Sequence, residues 1–221
     1  MYKEINIEKL ADILIVTPLL PGHKISKETK IGLKRNDNKF SWVSFEGQNN
    51  IPTNVDYGIE EYVKRHGTPK YVMCIDRDII PGRNLIRKLY EELERAASEI
   101  AYSYANFKFE GTINARFEGL HFDPMQLMNS NYISSNSMIN YEKLKEIGGF
   151  VKDDKYRRLL DWALWLKFLA AGYHGVLCQT ASFIAMSDEN TVSAGTKEDY
   201  RLKYARVKED FVKPLLDGLI I

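Results

Sequence analysis

Tyr71-Val-Met-Cys-Ile-Asp-Arg-Asp-Ile-Ile-Pro81 is the stretch that decides how this chain is read. Its first five residues form an unbroken apolar run, the pattern of a strand buried on both faces of a parallel sheet. The run ends at once in Asp76 and Asp78. Pro81-Gly82 then breaks the chain before a helix that carries Leu85, Leu89, Leu93 and Ala97 on one face. Two carboxylates at i and i+2 converge on one spot only if something positive lies between them. A hard divalent cation with oxygen ligands, Mn2+ or Mg2+, meets that need and would also hold a diphosphate. Arg77, between the two acids, reads as a phosphate contact or a structural residue.

Residues 12–16 read as a buried first strand ended by Thr17-Pro18, and residues 40–45 as a second that stops at Glu46-Gly47. Residues 22–39 show no period and are expected to form a long loop. Val55, Ile59, Tyr62 and Val63 give residues 54–65 helical spacing. Downstream, residues 100–107 and 132–139 read as strands, while 108–128 take no assignment. Asn140 is placed to cap a helix over 141–147 that stops at Gly148-Gly149. A stronger helix runs over 158–171 to Gly172, followed by a strand at 176–186 and a basic, polar helix at 200–216. Strands and helices alternate, which predicts an α/β fold with a mostly parallel central sheet and helices on both faces, in one domain over 1–221. Ligands of such sheets bind beyond the carboxyl ends of the strands, where Thr17, Glu46 and Asp76 all fall.

The chain has 221 residues, 44% apolar and 28% charged, an ordinary globular mixture. A formal net charge of +1 gives no reason to expect nucleic acid or anionic lipid as a partner. No apolar run approaches the roughly 18–20 residues of a membrane span. Residues 1–10 are too charged for a signal peptide. Cys74 and Cys178 each lie in an apolar run and read as buried thiols, so a cytosolic location is expected. His23, His66, His121 and His174 show no metal-ligand pairing, which argues against zinc.

The stretch from Tyr71 to Pro81 resembles GT-A glycosyltransferases of the family 2 type, in which a hydrophobic strand ends in D-x-D, an apolar pair and a proline. A second block lies downstream in the same order. It comprises Ser134-Ser-Asn-Ser-Met138, Gly148-Gly-Phe150, Leu160-Asp-Trp-Ala-Leu-Trp-Leu-Lys167 and Gly172-Tyr173. The resemblance covers most of residues 13–176. The compact length is similar to that of the virus-encoded glycosyltransferase domains of large chlorella viruses, or of one domain of a longer protein. Three positions depart from the family pattern. Leu160 stands where a second acid is common, and residues 183–187 carry no histidine. The first strand ends in Thr17-Pro-Leu-Leu-Pro21 rather than Pro-x-Tyr-Asn.

The resemblance implies transfer of a sugar from a nucleoside diphosphate donor, expected to be a UDP-sugar, to a hydroxyl of a glycan acceptor. It assigns the metal to Asp76 and Asp78. Donor contacts fall to Thr17, Pro18, Leu19, Glu46 (or Gln48), Asn54, Asp56, Asp76 and Arg77. Asp161 is the expected catalytic base, with Asp153 and Asp154 as second choices. Trp162 is expected to stack on the acceptor and Trp165 to sit in the core. Three rivals are a phosphohydrolase of the haloacid-dehalogenase kind, a sugar nucleotidylyltransferase, which would want a glycine-rich basic loop where residues 17–24 hold only Gly22, and a non-catalytic carbohydrate-binding relative. The first would want a threonine where Ile80 stands.

Overall fold

The computed structural model describes residues 1–8, 12–36, 39–47, 50–112, 114–187 and 197–219. In chain order the elements are β1 (Tyr2–Asn6), β2 (Ile13–Leu19), α1 (Lys27–Lys34), β3 (Ser41–Glu46), α2 (Ile51–His66), β4 (Tyr71–Cys74) and β5 (Ile79–Pro81). Then come α3 (Leu85–Arg95), β6 (Ile100–Gly111), β7 (Ala115–Phe117), α4 (Pro124–Asn129), β8 (Met138–Asn140) and α5 (Tyr141–Glu146). The chain continues through α6 (Leu160–Ala170), β9 (His174–Ser187), α7 (Lys197–Val207), a π-helical turn (Lys208–Val212) and α8 (Lys213–Leu219).

One mixed sheet organises these elements in the order β1-β3-β2-β4-β8-β6-β9-β5, with β7 beside β6. The β3-β2-β4 centre is parallel, as is the long β6/β9 pair, while β1, β5, β7 and β8 join antiparallel. The apolar runs of β2 and β4 follow from burial on both faces. Leu14, Val16, Val72 and Cys74 join the core that holds α2 and α6, whereas Ile13, Ile15, Tyr71 and Met73 join the core beneath α1 and α3. No helix among the described residues is long and apolar enough to cross a membrane. Cys74 and Cys178 are buried free thiols, as expected.

Three local expectations are corrected. The expected loop at 22–39 contains α1, whose N-terminus is capped by Ser26 Oγ accepting from Thr29 N at 2.9 Å. Its many lysines and its Gly32 mask the period. The strand expected over 132–139 shrinks to β8. Before it, Asn136 N donates to Ser134 Oγ and Ser137 Oγ donates to Ser134 O, local bonds that compete with a sheet ladder. Helix α2 begins earlier than expected and is capped by Asn50, which accepts from Thr53 N at 3.0 Å. The unassigned stretch 108–128 holds β7 and most of α4, the latter capped by Asp123.

Candidate active site

The D-x-D turn is held from three directions. Asp76 N donates to Asn136 Oδ1 at 3.1 Å, from the loop before β8. The Arg77 carbonyl accepts from Ser26 N and from Thr29 Oγ1, both at 2.9 Å, so the start of α1 buttresses the turn. The Asp78 carbonyl accepts from Met186 N at 3.0 Å, at the end of β9. The turn therefore presents Asp76 and Asp78 into a cavity of about 610 Å³ beyond the carboxyl ends of β2 and β4.

Asp161 enters the same cavity from the first turn of α6. Its Oδ1 accepts from Trp162 N at 2.9 Å and its Oδ2 from Asn131 Nδ2 at 3.0 Å. A carboxylate has about four acceptor positions, so acceptor capacity is left for a substrate proton. Burial pushes the Asp161 carboxyl up to about 6, against the lowering effect of hydrogen bonds from the Trp162 amide, Asn131 and its own backbone amide. Asp76 is also raised by burial; Asn136 and Cys74 hydrogen bonds oppose the shift and the charge of Asp161 adds to it. Both carboxyls keep an edge on the cavity, yet protein surrounds them closely enough to strip most of their water.

The donor set fits Mg2+ or Mn2+. Asp76 and Asp78 offer oxygens only, and such ions are commonly held by one or two carboxylates plus substrate phosphates. Among the described residues no cluster of three or more His, Cys, Asp or Glu exists that would cage an ion by protein alone.

The remaining expected residues divide into those on the cavity and those behind it. Pro18 and Arg77 line it. Thr17 is fully buried, with Oγ1 accepting from Trp42 Nε1 at 3.0 Å, and so ties β2 to β3 rather than facing a ligand. Asn54 is fully buried inside α2 and donates to the Leu19 carbonyl at 3.0 Å, which fixes the end of β2 from behind. Glu46 accepts from Gly22 N at 2.8 Å and pins the loop after β2. Asp56 pairs with Lys152 and anchors the 149–154 loop, which Asn50 also grips through the Lys152 carbonyl at 2.8 Å. Gln48 lies outside the described residues. Asp153 accepts from Lys155 N at 2.9 Å and caps a short 3-10 turn, away from the cavity.

Trp162 requires the plainest correction. It is fully buried, donates from Nε1 to the Leu127 carbonyl at 2.7 Å and stacks on Tyr204 at 5.0 Å. Its ring has no open face for an acceptor and serves to dock α7. Trp165 lies in the core as expected, stacked on Tyr102 at 4.4 Å.

Several cavity residues were not anticipated: His23, Asn131, Asn136, Arg158, Tyr200 and the rings of β6, β7 and β9. Arg158 has a left-handed backbone, φ 79°, which costs an arginine about 1 kcal/mol or more. Its guanidinium lies 3.9 Å from Asp199 and 5.6 Å from the Tyr200 ring centroid. Only the 134–138 serine-rich block carried a sequence signal for this wall.

No protein-family model matches the chain, and no curated protein sequence does either. Solved structures do resemble it. TarS of S. aureus in complex with UDP-GlcNAc aligns with TM-score 0.60 at 11% identity, over 86% of this chain and 64% of that one. The mannosyltransferase PcManGT of Pyrobaculum calidifontis, in complex with GDP-Man and Mn2+, aligns with TM-score 0.61 at 12% identity, over 93% and 64%. The chain thus spans about 64% of the length of either protein. At such identities the likeness is one of architecture: this chain has the mixed α/β glycosyltransferase fold of TarS and the mannosyltransferase.

Proposed function

We propose that this protein is a metal-dependent glycosyltransferase of the GT-A family 2 kind, moving a sugar from a nucleoside diphosphate, UDP, to a hydroxyl of a glycan acceptor. One observation carries the reading: Asp76, Asp78 and Asp161, from distant parts of the chain, line a single cavity at the carboxyl ends of the central strands. The fold shared with nucleotide-sugar enzymes supports it.

In this reading Asp76 and Asp78 hold Mn2+ or Mg2+, whose chemistry when bound is to neutralise charge on the departing diphosphate. Pro18, Leu20 and His23 line the end of the cavity next to β2 and would bracket the nucleotide. Arg77 and Arg158 add positive charge along the same wall. Asp161 takes the proton of the acceptor hydroxyl as its oxygen attacks the anomeric carbon. The bond from that carbon to the diphosphate oxygen breaks on the opposite side, which inverts configuration. A carboxyl titrating near 6 is ionised at neutral pH and still basic enough to accept that proton.

A non-catalytic carbohydrate-binding relative is the second reading, favoured by Leu160, which lines the cavity where a second acid is common in the family. Donor turnover separates the readings. With Mn2+ and a UDP-sugar, a transferase releases UDP, a phosphohydrolase releases inorganic phosphate and a lectin-like relative releases neither. Asp78→Ala should weaken UDP-sugar binding in Mn2+ at least tenfold while leaving the thermal midpoint within a few degrees. Calorimetry that gives the mutant the same Mn2+-dependent affinity as the wild type would remove the metal assignment.

A further inference from the structure

The cavity has a second region that the donor chemistry leaves unused. Strand pairing lines up Phe117, Phe107, Phe183 and Pro81 across β7, β6, β9 and β5. The next row on the same face is Ala115, Phe109, Ala185 and Ile79. At ~4.8 Å per strand the stripe runs about 14 Å, from the residue after Asp78 to the sheet edge. Gly82 permits the close approach of β5 and β9, since a Cβ there would sit 2.3 Å from the Ser182 carbonyl oxygen.

The side chains of this stripe offer no hydrogen-bond donor or acceptor. A nucleoside diphosphate sugar is polar along its whole length, so burying it here would leave its hydroxyls and phosphates without partners. Phe107, the central ring, has no face to offer a pyranose. Phe107 is sandwiched between Phe117 at 4.9 Å and Phe183 at 5.4 Å, with planes within 12° and 7°, so both its faces are taken. Pro81 is buried against Gly32 of α1, and Phe183 and Ile79 are almost fully buried, so the cavity meets the stripe mainly at Phe107, Phe109, Phe117 and Ala185, as hydrocarbon. The polar residues Asn131, Ser134, Ser135 and Asn136 line the same cavity. One ligand that satisfies both parts carries hydroxyls at one end and an alkyl chain at the other.

We infer that the acceptor is a glycolipid-like molecule, its reacting hydroxyl at Asp161 and its hydrocarbon aglycone along the Phe107–Phe117 stripe. This inference rests on the transferase reading and deepens it by naming the acceptor class. The test is calorimetric titration of the full chain with n-octyl β-glucoside, below its micelle concentration, against methyl β-glucoside. Each methylene buried is worth about fourfold in affinity, so the octyl compound should bind at least tenfold more tightly. Phe117 is 44% exposed at the sheet edge, so its substitution spares the core. Phe117→Ser should weaken octyl glucoside at least fivefold, and Phe117→Leu should restore most of the loss. Equal affinity for the two glucosides, octyl binding unchanged by Phe117→Ser, or a leucine variant as poor as the serine one would each overturn the inference. The last result would point to a ring face stacked on sugar. UDP release without acceptor is unaffected by any of these outcomes, so the transferase reading stands or falls separately.

Discussion

Asp161 is pulled in two directions by its surroundings. Burial favours the protonated acid, while Asn131 and the Trp162 amide favour the carboxylate, and the balance lies near 6. Because catalysis needs the ionised form, the transfer rate should rise with pH through a midpoint near 6. In Asp161→Asn that acid limb should vanish and the rate fall by ~10²–10⁴-fold, with donor affinity unchanged. A steady-state pH profile of both proteins at saturating UDP-sugar checks it; a mutant with full turnover places the base elsewhere. The same shift has a stability consequence of opposite sense. The folded pKa lies above the unfolded value of ~4, so the native state holds this proton more tightly. Its contribution to stability is complete below pH ~4 and is lost as pH rises through about 6.

Helix α6 carries Asp161, the proposed base, and is apolar almost all round: Leu160-Asp-Trp-Ala-Leu-Trp-Leu-Lys-Phe-Leu-Ala170. Its placement explains why. One side rests on the sheet through Trp165 and Tyr102, and another is covered by α7 through Trp162 and Tyr204. Only Asp161 and the Leu160 and Leu164 side chains reach the cavity. Both tryptophans are fully buried, so Trp162→Ala and Trp165→Ala should each cost ~3–5 kcal/mol. Urea denaturation measures both. If Trp162→Ala kept its midpoint and lost only acceptor affinity, the stacking role first expected for this residue would be restored. Helix α1 shows the same dependence on surroundings from the other side. Its few apolar residues make it faint as a helix, yet its N-terminus carries the bonds that hold the Arg77 carbonyl.

At the scale of the whole molecule, the two cores share one sheet, and residues of β2 and β4 alternate between them. Neither core can dissolve without stripping a face from the strands that support the other. Unfolding should therefore be a single cooperative transition, with far-UV circular dichroism and tryptophan fluorescence giving coincident curves in urea. The fluorescence samples both sides, since Trp162 and Trp165 lie in one core and Trp42 in the other. Separated transitions would mean that the α6 side forms an independent unit.

The buried central strands, the helices α2, α3 and α6, and the acidic turn after β4 are legible in the order of residues alone. Each rests on a local pattern: an unbroken apolar run, a helical period, or two carboxylates beside a chain break. The sequence also carried the glycosyltransferase resemblance, in two blocks whose meeting at one cavity is visible only in the fold. What the tertiary structure alone decided is which side chains face that cavity. Thr17 and Asn54 stand at strand and helix positions that look suited to a ligand, but the sheet and α2 close over them. Trp162 could not be told from a surface ring, because an all-apolar helix has no period to say which face is covered. Asn131, Arg158 and Tyr200 come from loops and a distant helix, with no local pattern to link them to Asp76. The phenylalanine stripe exists only through the registers Phe107–Phe117 and Phe107–Phe183. Strand register is a long-range property, set by which faces the completed sheet can bury.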